Sequence, residues 1–574
     1  MKKFKKAIRW VGLLLAVITL GGCTQSAKTE KTNADKNEET SVVRETAFGK
    51  VKGYEEEEAL IWLGVPYGGE TTKEARWKAP TDPEPWEGER DATKAGSVAL
   101  QTSADGVIGS EDGLNLDIYR PNNDKKELPV LVYIHGGNNQ TGTAEEISGV
   151  SFVQAHDAII VSVNYRLGPL GFNPLPALKT GTKEENSGNY TLLDLSKSLD
   201  WVKQNIENFG GDQNNITVSG FSAGGRDVMA MLISPIFEGK FDKAISFSGG
   251  MTIADEKKSQ EVYAQAIASL VVEDGVKEDE TKAKDWLLSS EEEVKDYLYA
   301  LDGDRLVGLM SNAGIRMSVF PHLFNDGYVL PKEGFDTENY HSVPLMMLTG
   351  EQEFSLFGRF DPYFSQYLEG GEIDNDPEIA NQYTFINNYG GQLYSLFNVQ
   401  ESAEKMNEHY QAAIYGMEIE FGADKAVVGE EMAKLGAFHG VFVPLLDTES
   451  KNYAGLVGAG YDSEGAKELS KVFQNYLFEF IKNGDPNGSN LPKWEDWQAG
   501  SKDNLLFVNA DKKQASAKMG HKTYDYENVL EAIDQDTTVS EKQKQELLSK
   551  VMNGRWFSKR LDEKYEQLSD FDKE

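Results

Sequence analysis

Cysteine, positive charge and long apolar runs are all scarce in this 574-residue chain. Its single cysteine, Cys23, excludes an internal disulfide, so the folded part must be stabilised by packing. Aspartate and glutamate total 93 against 58 lysines and arginines, which gives a net charge of -35. A surface of this sign repels nucleic acid, so we expect no nucleic-acid partner. The sequence also has no HExxH motif, no pair of cysteines and no phosphate-cradling loop, and we therefore expect neither a metal nor a cofactor.

The apolar run at the N-terminus is too short to span a bilayer comfortably. Met1–Arg9 carries four lysines and one arginine, and the apolar stretch Trp10–Leu20 follows. This order is typical of a secretory signal peptide. The small residues of the LGGC sequence that ends at Cys23 resemble a bacterial lipobox, in which the cysteine is lipidated and becomes the mature N-terminus.

These features predict a division of the chain into three parts. Residues 1–22 are predicted to be a lipoprotein signal peptide, residues 23–43 a flexible polar tether, and residues 44–574 a single domain. Palmitate on Cys23 would hold the protein at the extracellular face of the bacterial cell membrane. The lipid anchor is the only membrane contact that we expect.

Short apolar runs alternate with helical patterns along the folded part. The runs that suit parallel strands buried on both faces are Val130–Ile134, Ala158–Val163, Ile216–Ser219, Ala244–Ser246 and Pro344–Leu348. A helix is predicted over Leu192–Phe209, where apolar residues recur every three or four positions up to a glycine pair. The alternation indicates an α/β fold with a mostly parallel central sheet and helices on both faces.

Two mostly helical regions, Ala254–Leu301 and Leu356–Met432, interrupt this alternation. We interpret both as insertions over the carboxyl edge of the sheet, where ligands of open α/β proteins bind. The segment Glu527–Glu574 is amphipathic and highly charged, and it is predicted to form peripheral helices. No Pro/Gly/Ser-rich linker divides the chain after residue 45, so we expect one domain in spite of its length.

Ser222 lies in a GFSAG sequence, residues 220–224, that matches a nucleophile elbow. The sequence follows the predicted strand Ile216–Ser219 and precedes Val228–Ile233, a helix candidate, so the context is strand, tight turn and helix. Glycines two residues before and two residues after the serine relieve the crowding of such a turn. Chance alone also produces this pattern in a glycine-rich chain, so the assignment depends on suitable partners for the serine.

A serine hydroxyl needs a base that removes its proton and an acid that orients the base. In folds with this elbow the chain order is serine, acid, histidine. The downstream histidines are His322, His341, His409, His439 and His521. Small residues near His439 allow a tight loop there, but a histidine beside glycine is more often structural, so the residues alone leave the base open. The acid should follow a core strand, and both Glu351 and Glu353 follow the run that ends at Thr349, so the residues alone leave these two acids open.

The intermediate of acyl transfer carries an oxyanion, which preorganised backbone N–H groups stabilise. The sequence His135-Gly136-Gly137 comes directly after the predicted strand Val130–Ile134, and glycines let a backbone approach a ligand closely. This loop therefore matches one half of an oxyanion hole, and the N–H group of Ala223 matches the other half.

Many sequence blocks, from about residue 49 to residue 492, resemble the type-B carboxylesterase family, which includes the para-nitrobenzyl esterases and the cholinesterases. In the family's order they include WLGVPY at 62–67, SED at 110–112, HGG at 135–137, NYRLG at 164–168, FGGD at 209–212, Ser222 with its glycines, and GDPNG at 484–488. The resemblance implies the α/β-hydrolase fold and the hydrolysis of carboxylic esters without a cofactor.

The resemblance also implies roles for single residues. The family's acid lies four residues before a phenylalanine, as Glu353 does, and its catalytic histidine precedes a glycine, as His439 does. The implied catalytic triad is Ser222, Glu353 and His439. The implied oxyanion hole consists of the N–H groups of Gly137, Asn138 and Ala223. Two buried ion pairs with a structural role would be Arg76–Glu111 and Arg166–Asp194.

Several positions depart from the family's pattern. Gly113 stands in place of a disulfide cysteine, Asn138 in place of a glycine of the oxyanion loop, Phe221 in place of a glutamate, Phe354 in place of a glycine, and Arg226-Asp227 in place of small or hydroxyl residues. These changes leave the triad intact and alter the shape of the pocket around it.

We therefore expect a serine carboxylesterase that binds a small or medium uncharged ester in an aromatic cleft under the insertions. The alternative is a non-catalytic, cholinesterase-like binding or adhesion module that has kept the fold and lost the chemistry. A serine peptidase on the same fold is a further alternative. The sequence gives no indication of the ester's identity or of the oligomeric state.

Overall fold

The computed structural model describes residues 41–368 and 370–566. The predicted signal peptide, Cys23 and nearly all of the predicted tether lie outside the described residues, as does the end of the charged C-terminal segment.

The strands are numbered in chain order. They are β1 Val43–Thr46, β2 Gly49–Lys52, β3 Tyr54–Glu56, β4 Ala59–Pro66, β5 Glu89–Asp91, β6 Gln101–Ser103, β7 Gly106–Ile108, β8 Asn115–Pro121, β9 Leu128–Ile134, β10 Ile159–Val163, β11 Gly211–Phe221, β12 Lys243–Phe247, β13 Leu345–Gly350, β14 Ile414–Ile419, β15 Leu505–Ala510 and β16 Ala515–Gly520.

Eleven of these strands form one central sheet in the order β16-β15-β14-β13-β12-β11-β9-β10-β8-β4-β3. Strands β10, β9 and β11 to β15 pair in parallel, and the antiparallel pairs lie towards the two edges. The predicted, mostly parallel sheet is confirmed. Two small sheets, β1-β2-β5 and β6-β7, accompany it.

The α-helices are likewise numbered in chain order. They are α1 Val150–Ala155, α2 Gly168–Gly171, α3 Tyr190–Asn205, α4 Ala223–Met231, α5 Glu256–Glu273, α6 Glu280–Leu287, α7 Glu292–Ala300, α8 Gly303–Val307, α9 Ser355–Arg359, α10 Pro362–Ser365, α11 Glu372–Asn375, α12 Pro377–Ser395, α13 Ser402–Met406, α14 Lys425–Ala433, α15 Val443–Leu446, α16 Ala454–Val457, α17 Glu464–Asn483, α18 Tyr526–Gln535, α19 Glu541–Leu547 and α20 Lys559–Lys564.

Strand β9 shows how the apolar runs produce this layered arrangement. Successive side chains of a strand point to opposite faces of the sheet. Val130, Val132 and Ile134 enter one hydrophobic core, while Leu131 and Tyr133 enter the other. A run without polar residues is therefore required, because both faces of the central strands are covered.

The helix predicted over Leu192–Phe209 is also present. It begins slightly earlier, as α3, and its last turn, Ile206–Phe209, is a 3₁₀ helix. Gly210 ends it with φ of 85°, a left-handed conformation that glycine adopts without steric cost.

The interpretation of Leu356–Met432 as an insertion is wrong for part of its length. Strand β14 lies within it and pairs with β13 and β15 in the centre of one half of the sheet. Its sequence IYGMEI contains a glycine and a glutamate, so it lacks the continuous apolar run by which the other central strands were found. Glu418 is nevertheless buried, and Lys522 neutralises its charge.

Two predicted ion pairs support the loops around the sheet. Arg76 Nε donates to Glu111 Oε2 at 2.7 Å. Arg166 donates to Asp194 through Nε at 2.8 Å and through Nη2 at 2.6 Å. Both pairs, inferred from the family resemblance, are confirmed.

Within the described ranges no helix is long and apolar enough to cross a membrane. The predicted site residues all follow parallel strands: residues 135–138 come after β9, Ser222 after β11, Glu353 after β13 and His439 after β14. The carboxyl ends of parallel strands meet at one edge of a sheet, so these four segments lie at the same edge.

Candidate active site

Ser222 stands on the sharp turn that joins β11 to α4. Its φ of 55° and ψ of -116° place an ordinary L residue in a strained conformation, as a nucleophile elbow requires. The turn depends on Gly220, because a Cβ atom there would lie 2.2 Å from the carbonyl oxygen of Gly224. The Ser222 N–H group donates to Phe247 O at 2.8 Å, which fixes the turn to the neighbouring strand.

Glu353 is fully buried and accepts hydrogen bonds at both carboxyl oxygens. Oε1 accepts from Ser248 Oγ at 2.6 Å, from the Gly350 N–H group at 2.6 Å and from Thr349 Oγ1 at 3.1 Å. Oε2 faces His439 Nδ1 at 2.5 Å. Hydrogen bonds from this many donors hold the carboxyl group in one orientation.

His439 lies within reach of Glu353 because two loops approach each other closely. A Cβ atom at Gly350 would lie 2.3 Å from Ala437 O, so glycine is needed where the loop after β13 touches the histidine loop. Of the two candidate acids, Glu353 contacts the histidine. Glu351 instead lines a separate cavity of about 280 Å³ with Glu420 and other residues.

Aromatic rings surround the imidazole of His439. The ring of Tyr394 stacks on it at 5.6 Å between centroids, and those of Phe221 and Phe357 lie at 4.7 and 5.0 Å. Because Glu353 accepts at Nδ1, that nitrogen carries the proton, and Nε2 is left as an acceptor in the neutral ring. Nε2 is buried and has no hydrogen-bond partner among the described residues.

Ser222 and His439 are both close to fully buried, with 5% and 6% of their surface exposed. The structure brings them near each other, since the ring of Phe221, the residue before the serine, packs on the imidazole. In the described part of the chain no hydrogen bond joins Ser222 to His439 Nε2. Catalytic hydrogen bonds are often long or poorly aligned without substrate, and this arrangement is compatible with a serine–histidine pair.

The loop after β9 lies directly against the nucleophile elbow. A Cβ atom at Gly136 would lie 3.2 Å from Ser222 Cβ. The Gly136 N–H group donates to Glu146 Oε2 at 3.0 Å, and Tyr133 donates to the same oxygen at 2.7 Å. These contacts hold the loop in place next to the serine.

Three amide groups at this junction are the predicted oxyanion donors. The N–H groups of Gly137, Asn138 and Ala223 donate to no acceptor within the described residues. Ala223 is the first residue of α4, and the first N–H groups of a helix have no intrahelical acceptor. Free amides beside a nucleophile, one of them at a helix N-terminus, are suited to bind developing negative charge.

Asn138 retains the backbone shape that glycine would give. Its φ is 58°, in the left-handed region that asparagine tolerates better than most residues. Its side-chain Nδ2 donates to Gln140 Oε1 at 2.7 Å. The replacement of glycine therefore adds a side chain without removing the backbone N–H group.

Sequence reasoning missed Trp556 and Phe557, which lie in the C-terminal segment described as peripheral. Both are buried. Phe557 stacks on Tyr394 at 4.9 Å, so a single ring separates it from His439, and it also packs at 5.1 Å on Phe354, which replaces a glycine beside the acid. The signal available in the sequence was an apolar pair within a highly charged stretch.

The other downstream histidines do not share this environment. His322 is buried against Arg226, and His341 Nε2 contacts Ser234 O at 2.7 Å. Among the histidines that the structure describes, His439 is the one that contacts Glu353.

Ser222, Glu353 and His439 thus follow parallel strands of one sheet in the chain order of an α/β hydrolase, with Ser222 on a sharp turn between strand and helix. The fold is that of the α/β hydrolases. A solved PNB esterase structure has the same fold, with a TM-score of 0.67 and 24% identity, over 85% of this chain and 99% of that chain.

Sequence comparison defines the family. The model of the Carboxylesterase family matches residues 40–452, and the chain belongs to this family. The para-nitrobenzyl esterase of Bacillus subtilis (strain 168) is 37% identical over 265 residues, which cover 43% of this chain and 53% of that protein, about half of its length. Carboxylesterase 1F of Mus musculus is 27% identical over 539 residues, or 83% of this chain and 92% of that protein. Membership makes the protein a carboxylic ester hydrolase.

Proposed function

We propose that this protein hydrolyses carboxylic esters by two-step acyl transfer through a Ser222, Glu353 and His439 triad. The observation that carries the proposal is the contact between His439 Nδ1 and Glu353 Oε2 at 2.5 Å, next to a serine on a nucleophile elbow. The contact leaves Nε2 of the same ring free to accept a proton.

In the first step Ser222 Oγ attacks the ester carbonyl while His439 Nε2 takes its proton. The oxyanion that forms is stabilised by the N–H groups of Gly137, Asn138 and Ala223. Glu353 stays ionised and stabilises the imidazolium, which then donates its proton to the leaving alcohol. The products of this step are the free alcohol and an acyl-serine.

In the second step water replaces the alcohol. His439 removes a proton from the water, which attacks the acyl-serine through a second oxyanion at the same N–H groups. Collapse of this intermediate returns the proton to Ser222 and releases the carboxylic acid. The two steps need no metal or cofactor, because the charges are handled by the imidazole and the amides.

Replacing the serine tests the assignment. Ser222→Ala is expected to lower kcat for a p-nitrophenyl ester by about 10⁴-fold or more. Ser269→Ala, an exposed serine on α5, serves as the matched control and should leave kcat unchanged. Unchanged turnover in Ser222→Ala would refute the proposed triad.

The alternative function is that of a non-catalytic binding module. It is supported by Asn138 and Phe221, which change the surroundings of the proposed triad. A fluorophosphonate probe separates the two functions, because it labels only a serine that its base has activated. Labelling of the wild type, lost in Ser222→Ala, supports the esterase. Absence of labelling in the folded wild type supports a binding module.

We further propose that the chain is lipid-anchored at Cys23 to the extracellular face of the bacterial membrane. The support is the basic, apolar and LGGC order of residues 1–23. The test is detergent phase partition of the full chain expressed in bacteria. Wild type should enter the detergent phase and Cys23→Ala should not; equal partition of both would refute the anchor.

A further inference from the structure

Arg226 is a buried cation close to the proposed nucleophile. It lies on α4, its N–H group donates to Ser222 O at 2.9 Å, and only 1% of its surface is exposed. Four residues of helix advance about 6 Å along the axis. The side chain therefore starts one helical turn from the serine.

Among the described residues, the groups that contact the Arg226 guanidinium are uncharged. Nη1 faces His322 Nε2 at 2.6 Å, Nη2 donates to Thr252 O at 3.2 Å, and the ring of Trp556 lies 3.9 Å from the guanidinium carbon. His322 Nδ1 contacts Phe320 O, so its proton lies there and Nε2 accepts from the arginine. Burial, and then the charge of Arg226, hold the pKa of His322 well below its usual value, so this histidine is neutral.

No carboxylate pairs with Arg226 within the ranges that the structure describes. The adjacent acid, Asp227, is turned towards Asn139, whose Nδ2 donates to Asp227 Oδ1 at 2.9 Å. Arg226 Nε is buried and has no partner in the described part of the chain. Burial lowers the pKa of Arg226 to about 10, although the nearby charge of Asp227 raises it, and the group still carries its charge at neutral pH. A buried cation without a paired anion is costly, and an anionic ligand would offset that cost.

Further donors without partners lie around Arg226. Thr252 Oγ1, Trp556 Nε1 and Tyr394 Oη are all buried without a hydrogen-bond partner among the described residues. The backbone oxygen of Thr252 and the ring of Trp556 contact the guanidinium. Tyr394 stacks on His439 and interacts electrostatically with Arg226. Hydroxyls, an indole N–H group and a guanidinium together can donate to the two oxygens of a carboxylate.

We propose that Arg226 binds a carboxylate of the substrate, so that this enzyme prefers esters with an acidic group on the acyl or the alcohol side. The proposal rests on the proposed esterase function and deepens it, and it replaces the expectation of an uncharged ester. The attraction of the carboxylate has to come from Arg226 within the site, because a net charge of -35 opposes an anion over most of the protein surface.

Matched esters measure this preference. On the acyl side, p-nitrophenyl hydrogen adipate is compared with p-nitrophenyl hexanoate, in which a methyl group replaces the carboxylate. On the alcohol side, acetoxybenzoate is compared with phenyl acetate. The measured quantity is kcat/KM for the acidic ester divided by kcat/KM for its neutral counterpart. Arg226→Met should lower this ratio by about ten- to hundredfold for at least one of the two pairs. The pair that responds identifies the side on which the carboxylate lies.

Arg316→Met is the control, because it also removes a largely buried guanidinium, one whose partners are the backbone oxygens of residues 550, 551 and 553. It should change both rates of a pair alike and leave their ratio as in wild type. Arg226→Lys should retain part of the preference, since it keeps the charge and loses the planar geometry. An unaltered ratio in Arg226→Met for both pairs would overturn the carboxylate site.

A measurement on the wild type covers the case in which Arg226→Met does not fold. A methyl ketone that ends in a carboxylate should inhibit hexanoate ester hydrolysis at least tenfold more strongly than the same ketone ending in a methyl group. Equal inhibition would count against the carboxylate site while the esterase stands. Failure of the wild type to hydrolyse any of the esters would instead count against the proposed function itself.

Discussion

Arg166 and Arg226 are both buried guanidinium groups near the carboxyl edge of the sheet, and they differ in their counter-charge. Arg166 is 4% exposed and binds Asp194 through two nitrogens, whereas Arg226 has only uncharged contacts within the described residues. In the part of the chain that the structure describes, each also leaves one buried nitrogen without a partner, so the two arginines differ in the carboxylate alone. A paired cation serves the fold, and an unpaired one is available to a ligand.

The same contrast divides the proposed catalytic groups. Glu353 accepts from four donors and belongs to the rigid half of the site. His439 Nε2 and the amides of residues 137, 138 and 223 have no partner in the described part of the chain and form the half that substrate would complete. Satisfied groups fix the geometry, and unsatisfied groups mark where charge and protons are expected to move.

Among the changes that test this contrast, the largest expected effect comes from the rigid half. Glu353→Gln should lower kcat by about 10³–10⁴-fold, because a neutral amide neither stabilises the imidazolium nor holds the tautomer that leaves Nε2 free. Steady-state kinetics with a p-nitrophenyl ester measures the loss, and circular dichroism checks that the variant is folded.

Glu351→Gln is the matched control for this experiment, because Glu351 is the neighbouring acid that the residues alone left open before the family resemblance favoured Glu353. Its side chain faces a different cavity, so kcat should stay within about twofold of wild type. A greater loss of kcat in Glu351→Gln than in Glu353→Gln would show that the proposed assignment of the acid to Glu353 is wrong.

The next largest effect concerns folding stability. Asp194→Ala should lower the free energy of unfolding by about 3–5 kcal/mol, because it leaves the Arg166 guanidinium buried and unpaired. Arg226→Met should cost less than about 2 kcal/mol, since the loss of a contact to His322 is offset by removal of a buried charge. Urea denaturation of the two variants beside wild type gives both values. If Arg226→Met were the more damaging variant, Arg226 would be a structural residue and the contrast with Arg166 would be lost.

The sequence predicts those parts of the fold and of the site that neighbouring residues encode, and it does not predict the parts that depend on contacts between distant segments. Ser222 was found from its neighbours, since the elbow is built by residues within two positions of it. The ion pair of Arg166 was found from ordered motifs, and β9 from its apolar run. Strand β14 was missed because its buried Glu418 is neutralised by Lys522, 104 positions away in the numbering of the chain. Trp556 was missed for the same reason: its contact with Arg226 joins distant segments, and no local pattern encodes such a contact.

The smallest expected effect is a change in the pH dependence of folding stability, and it tests the charge of Arg226 through the adjacent residue Asp227. Asp227 is fully buried, and burial raises its pKa from 3.8 to about 7, although the hydrogen bond from Asn139 and the charge of Arg226 both lower it. A carboxyl with a raised pKa in the folded state contributes stability that is complete below its unfolded pKa and is lost as the pH rises through its folded pKa. Asp227→Asn cannot ionise, so its stability relative to wild type should rise by about 2 kcal/mol from about pH 5 to about pH 7.

Urea denaturation of wild type and Asp227→Asn across this pH range measures the difference, with the exposed Asp105→Asn as a control that should show no such trend. Arg226 lowers the pKa of Asp227, so in an Arg226→Met background the relative gain of Asp227→Asn should extend to higher pH. If the stability gain of Asp227→Asn kept the same pH range in that background, the charge of Arg226 would have no effect on the adjacent carboxyl group. Such a result would count against binding of a substrate carboxylate by Arg226.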